Sequence, residues 1–273
     1  MSNIPVIFIQ YGSHRYTKDM LTLAKKNNER VILITTSDEV DVFKEVVEVY
    51  AIESYFNMTS FFKTIYVHMS SNTDAVEFFN FQRILVLYEF MKDKDIENVF
   101  FCDNSILLNV DVNDLGLDMQ KTYYCIPDNT KKPYRWSASI HCAMLNLDFM
   151  ECFVSFVFEH YQDDDKLKIL KDKYDFHQET NNSGGICDMT LLYLYSKDNE
   201  IENLLDIGFD HTITSDESST ANYYKLVSGM KDITVKDGKF YAKTFRDDFQ
   251  ILHSLNFQGQ VLKDFDYYYN KLI

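Results

Sequence analysis

Three small polar residues, Asp103-Asn104-Ser105, interrupt an apolar stretch that runs Val99-Phe100-Phe101-Cys102 before them and Ile106-Leu107-Leu108 after. An unpaired polar group left buried costs about 2–7 kcal/mol. The break therefore marks a strand end opening into a crevice, which is where open α/β sheets bind ligands. A carboxylate at that point, Asp103, has the hard oxygen chemistry that holds Mg²⁺ or Mn²⁺ against phosphate oxygens. Asn104 and Ser105 beside it suit a ribose hydroxyl or a metal-bound water. The same residue types are also ordinary turn formers, so the motif acquires meaning only from its surroundings.

Other groups with chemical potential lie elsewhere in the chain. Gln10-Tyr11-Gly12 closes the first apolar run, and Tyr16 follows it. Arg83 sits in an apolar helical pattern upstream of Asp103, where a guanidinium either reaches a ligand or snorkels to solvent. In Ser183-Gly184-Gly185-Ile186-Cys187-Asp188 the glycine pair lets backbone approach a ligand closely. Asp188 at the following helix start either binds ligand hydroxyls or simply favours the helix, by about 0.3–1 kcal/mol. Trp136 and His141 flank a Ser-Ala-Ser segment that lines the same region or serves the strand.

Positioning these groups requires an ordered frame. Apolar runs at 4–9, 31–35 and 64–68 read as strands, with helical patterns at 17–28 and from 38 to about 50 between them. This β-α-β-α-β order predicts a mostly parallel sheet. A long aromatic helix follows at 74–94, capped by Asp74 with Glu77 as its capping-box partner. Further strands are expected at 122–126 and 139–147, and a helix at 148–160. Residues 163–173 read as a charged, solvent-facing segment. Asp237-Gly238 suits a type I′ hairpin turn.

With this frame around it, Phe100-Phe101-Cys102-Asp103-Asn104-Ser105-Ile106-Leu107 resembles the Asp-x-Asp segment of GT-A fold nucleotide-sugar glycosyltransferases, with Ser105 where the second Asp stands. Near the C-terminus, Asn256-Phe257-Gln258-Gly259 followed by Lys263 resembles the His-Phe-x-Gly…Lys segment of glycogenin-like and bacterial galactosyltransferase-like members. Asn256 takes the place of the metal-binding His there, and the Lys falls one residue late. The resemblance implies one Rossmann-like α/β domain over 1–273, a mostly parallel twisted sheet flanked by helices with a small antiparallel element near the C-terminus. Residues 1–112 would be its nucleotide-binding half and 113–273 its donor-sugar and acceptor half.

It implies transfer of a sugar, a hexose from a UDP-sugar for preference, to a carbohydrate acceptor in polysaccharide biosynthesis, with a tilt toward retention of configuration. Gln10, Tyr11, Gly12, Tyr16, Arg83, Asp103, Asn104, Ser105, Gly259 and Lys263 would meet the nucleotide. Trp136, His141, Gly184, Gly185 and Asp188 would meet donor or acceptor sugar, Asp188 as the catalytic group. The metal positions are Asp103, Ser105 and Asn256, with His253 as a substitute if the loop differs. Two of them altered in the same sense imply a weakly bound Mn²⁺ or Mg²⁺, or none. That alteration equally fits a GT-A-like protein that has lost catalysis and binds a partner. A sugar-phosphate nucleotidyltransferase shares the sheet type, but its Gly-rich basic N-terminal loop has no counterpart beyond the single Gly12.

Composition sets the outer bounds. With 46% apolar residues, 22 Phe, 19 Tyr and only 8 Gly and 3 Pro, the chain has the makings of a large core and no linker. A net charge of −15 argues against nucleic acid as a partner, since phosphate backbones need clustered Lys and Arg. Cys102, Cys125, Cys142, Cys152 and Cys187 form no metal-type spacing, and most of them are expected as buried free thiols. No stretch approaches the roughly 18 apolar residues of a membrane span, and the N-terminus has no signal-peptide pattern. A cytoplasmic location is the expectation.

Overall fold

The computed structural model describes residues 3–127, 133–209, 212–214, 224–257 and 263–272. In chain order the elements are β1 (Val6–Ile9), α1 (Thr17–Asn27), β2 (Val31–Thr35), α2 (Val40–Phe43), β3 (Glu48–Ala51), α3 (Asn57–Phe62), α4 (Asp74–Asp93), β4 (Asn98–Cys102) and β5 (Ile106–Leu108). Then come β6 (Tyr123–Cys125), β7 (Ser139–Asn146), α5 (Leu147–Gln162), α6 (Asp164–Glu179), α7 (Asp188–Asp198) and β8 (Glu202–Asn203). The C-terminal part holds β9 (Leu226–Val227), β10 (Met230–Lys231), β11 (Ile233–Lys236), β12 (Lys239–Lys243), β13 (Phe249–Leu252), β14 (Ser254–Asn256) and α8 (Phe265–Tyr269).

Among the described residues the central sheet has seven strands in the order β3-β2-β1-β4-β7-β6-β8. β1 pairs in parallel with both β2 and β4, and β7 alone enters antiparallel, between β4 and β6. The strands are apolar throughout because both faces are covered. Ile7, Ile9, Ile32, Ile34 and Phe101 face α4, α5 and α7, whereas Val6, Phe8, Val31, Leu33 and Phe100 face the α1 side. The period-two alternation of side chains divides each strand between two cores. A third cluster joins Tyr16 and Leu107 to Phe240, Leu255, Phe257 and Phe265, tying the C-terminal strands to the frame. The α/β class, the flanking helices and the small antiparallel sheets near the C-terminus match the expectation. Asp237 (φ 50°) and Gly238 (φ 69°) form the hairpin turn, both left-handed as a type I′ turn requires. All five cysteines are free thiols; Cys102, Cys125 and Cys142 are buried, whereas Cys152 is exposed on α5. No helix among the described residues is long and apolar enough to cross a membrane.

Four local expectations are corrected. Residues 64–68 form no strand: the amides of Thr64, Ile65 and Tyr66 close back on the carbonyls of Phe61 and Phe62 at the end of α3. The third parallel strand is β3 instead, paired with β2, where the expected helix was to run on to 50. The Val-rich stretch there prefers a pleated neighbour to a longer helix, and α2 ends after one turn. Glu77 does not complete a capping box, because Thr73 is the N-cap and no side chain caps α4. It turns inward instead, accepting hydrogen bonds from Ser70, Asn72 and Asn80. Residues 164–173 form the first part of α6 with Asp163 as its N-cap, mostly exposed as expected, but Leu170 and Lys173 are buried.

Candidate active site

Asp103 follows directly on β4, and its amide donates to the His141 carbonyl of β7 at 2.8 Å, which fixes the turn against the sheet. The turn lies at the carboxyl ends of β1 and β4. Strand order runs outward from β1 to β2 and β3 on one side and to β4 on the other. This is the topological switch point where open α/β sheets form a crevice.

α4 lays Arg83 along that crevice. Its guanidinium donates through Nη1 to Asp103 Oδ1, and through Nη2 to Asp188 Oδ2 at 2.8 Å. It also lies 6.0 Å over the Phe101 ring. Asp188 is the first residue of α7 and is 2% exposed. Burial opposes the charge on Arg83, but the two carboxylates outweigh it and hold the guanidinium protonated. Burial also pushes the Asp188 carboxyl up, and Arg83 offsets this only in part. The fork thus joins one guanidinium to two carboxyl groups.

A cavity of about 420 Å³ opens over this trio, with Tyr16, Phe79, Ser105 and Phe257 among its walls. Its volume suits a ligand of nucleotide-sugar size. Ser105 Oγ donates to Asn256 Oδ1 at 2.9 Å, because β14 runs antiparallel to β5 with Asn256 opposite Ile106. The two motif departures noted in the sequence are therefore hydrogen-bonded neighbours. They do not fit a resident divalent cation. Both are neutral and satisfy each other, Asp103 is already paired, and among the described residues no group of three or more His, Cys, Asp or Glu could hold a metal.

The remaining sequence candidates fall in several places. Tyr16 is buried, packs on Phe265 at 4.4 Å and also lines the crevice, so it both anchors the loop and faces the cavity. Asn104 lies in the crevice beside Asp103. Gln10 is buried at the end of β1, accepting from Thr17 Oγ1, with its Nε2 lacking a partner among the described residues. Gly12 adopts φ 63° in the next turn. Tyr11 leans on Phe79 at 5.0 Å and lines a different, apolar cavity. His141 does not line the cavity: it is 0% exposed within β7, its ring bonded to Ser139 and near Cys125. His253 cannot stand in for Asn256. It sits beside Asn109 at the other end of β5, three residues along the strand and so about 10 Å away, its ring on Phe209. Trp136, Gly184 and Gly185 line a neighbouring cavity with Met189 as the shared wall. Lys263 is exposed, and Gly259 lies outside the described residues.

The crevice residues missed in the sequence are His14, Phe79, Asn80 and Met189, whereas Ser139 of the Ser-Ala-Ser segment and Phe257 of the C-terminal motif do line it. Phe79 and Asn80 are within one helical turn of Arg83, and helical spacing alone would have placed them beside it.

No protein-family model matches the sequence, and no curated protein matches it. Among solved structures, the fold is similar to an active-site mutant of LgtC, at 10% identity and TM-score 0.35 over 70% of each chain. It is similar to the glycosyltransferase GlyE of Streptococcus pneumoniae TIGR4 at 14% identity and TM-score 0.35, over 74% of this chain and 45% of that one. The chain thus spans less than half of GlyE. It is also similar to a cytidylyltransferase from Leptospira borgpetersenii at 12% identity and TM-score 0.32, over 59% of this chain and 67% of that one. No residue role follows from likenesses of this size.

Proposed function

We propose that this chain is a glycosyltransferase that moves a hexosyl group from a nucleotide-diphosphate sugar, a UDP-sugar by preference, to a carbohydrate acceptor. The observation that carries the reading is the Asp103–Arg83–Asp188 cluster at the switch point between β1 and β4. A buried charged trio facing a crevice is costly to maintain and belongs where charge develops during a reaction. In this reading the diphosphate lies toward Asp103 and Ser105, and the transferred sugar toward Asp188. Configuration is retained, following the motif resemblance.

The guanidinium of Arg83 is already engaged by both carboxyl groups, so the trio does not attract a diphosphate by itself. Any divalent cation in the reaction therefore belongs to the nucleotide substrate rather than to the protein. His14 in the crevice wall would add a hydrogen-bonding ring, and Lys263 would meet the diphosphate as the motif resemblance implies. The cytoplasm is the location we assign. The test is a screen of UDP- and GDP-sugars for donor hydrolysis and for transfer to simple saccharides, with the product anomer read by NMR. Turnover by the wild type that disappears in Asp103→Ala supports the assignment, and an unchanged rate in that variant removes it.

A second reading, a GT-A-like binding protein without catalysis, draws on the Ser105–Asn256 hydrogen bond, which closes two ligand positions on each other. Calorimetry with UDP and GDP separates the two: tight binding without turnover selects the second. Pyrophosphate release from a nucleoside triphosphate and a sugar phosphate would instead select a nucleotidyltransferase.

A further inference from the structure

Across Met189 from the crevice lies a second cavity, of about 520 Å³. Of the charged and basic side chains that line it, Arg135 and His177 are part-exposed and two are buried and unused by the proposed reaction: Glu77, 2% exposed, and Lys173, 4% exposed. All their hydrogen-bond partners among the described residues are neutral. Glu77 accepts on Oε1 from Ser70 Oγ (2.8 Å) and Asn72 Nδ2 (2.7 Å), and on Oε2 from Asn80 Nδ2 (3.2 Å). Lys173 donates to the Gly185 carbonyl (2.6 Å) and to Thr190 Oγ1 (2.7 Å). A carboxylate accepts about four hydrogen bonds and an ammonium donates three. Each group therefore keeps one position in hand, an acceptor on Glu77 and a donor on Lys173.

The wall is aromatic and stiff. Tyr134 lies 5.0 Å from Trp136 and 5.0 Å from Phe176, and Trp136 is backed by Tyr193, stacked at 6.4 Å and 11°. Apolar ring faces beside a matched acceptor and donor suit a polyol ring, which has apolar C–H faces and hydroxyls that both donate and accept.

We propose that this cavity binds a neutral pyranose, with its ring against Trp136 and Tyr134 and its hydroxyls between Glu77 and Lys173. Calling that sugar the acceptor rests on the glycosyl-transfer reading; the binding itself does not. A carboxylated or phosphorylated sugar would meet Lys173 and Arg135 as well as Glu77, so the ring faces and hydroxyl pairing, not charge, carry the choice of sugar.

Trp136 is the only tryptophan in the chain, so its emission reports this cavity alone. The experiment titrates the full chain with neutral mono- and disaccharides, with a uronic acid and with a sugar phosphate, following tryptophan fluorescence. UDP binding is measured in parallel by calorimetry. The expected result is a saturable change with at least one neutral saccharide, weakened tenfold or more in Glu77→Gln and in Tyr134→Ala. Both variants should keep the wild-type circular dichroism and UDP affinity. Binding of the anionic sugars with no response to any neutral saccharide overturns the proposal. So does the absence of any saccharide response in a protein that binds UDP, an outcome that leaves the transfer reading standing. Saccharide binding without nucleotide binding supports the cavity and sinks the transfer reading instead.

Discussion

Removing Arg83 and removing Asp103 are unequal experiments. Arg83→Met leaves two buried carboxylates without their cation, a change that costs about 3–5 kcal/mol. Asp103→Asn keeps the Arg83–Asp188 pair, 2.8 Å apart, and should lose well under half as much, as urea denaturation will show. Metal affinity is a second test at this scale. The free wild type should show no saturable Mn²⁺ binding by calorimetry below the millimolar range, whereas Ser105→Asp combined with Asn256→His should bind Mn²⁺ without nucleotide. Micromolar binding by the unmodified chain alone would remove the account of a cation carried in on the substrate. Lys173 gives a third. Burial lowers its pKa from 10.5 to about 8, so above that pH the unfolded chain binds the extra proton and stability rises. Below pH 8 both states are protonated and the group contributes no slope. Between there and the unfolded pKa, the wild type should gain roughly 3 kcal/mol relative to Lys173→Met, read as the difference between their urea curves at each pH. A flat difference would contradict the burial.

At the scale of elements, the connection into α7 depends on a glycine. A Cβ on Gly185 would lie 2.3 Å from the Met69 carbonyl oxygen and 2.4 Å from Ser70 Cα, at φ +155°. Ile186 N donates to that same carbonyl at 2.7 Å, so the loop before Asp188 is zipped to the loop before α4. Gly185→Ala should therefore melt markedly lower and displace Asp188 from Arg83, lowering turnover. Gly12→Ala has open space at φ +63° and should cost only about 1–2 kcal/mol. The helix bearing Arg83, the strand ending at Asp103 and the I′ hairpin were legible in the sequence, because each is set by local periodicity or turn chemistry. Glu77 and Lys173 were not. Their charges suggested a helix cap and a solvated face, and only packing between α4, α6 and the Gly184-Gly185 loop turns them inward.

Over the whole molecule, the sheet class followed from alternating apolar strands and amphipathic helices, while the antiparallel β7 between β4 and β6 is a distant pairing with no local signal. The same limit hid the meaning of Ser105 and Asn256, which look like two separate departures until β14 is seen against β5. That pairing has a consequence for the order in which the protein is made. Ser105 and Asn256 are 151 positions apart, so the crevice wall cannot close until Asn256 has emerged from the ribosome. Closure of so long a loop is slow relative to helix formation. On refolding from urea, helical circular dichroism should recover first, and nucleotide binding should return in a later phase. Ser254→Pro, which removes a backbone donor from β14, should slow that later phase selectively. A nascent chain would then carry a folded sheet well before it acquires any affinity for its substrate.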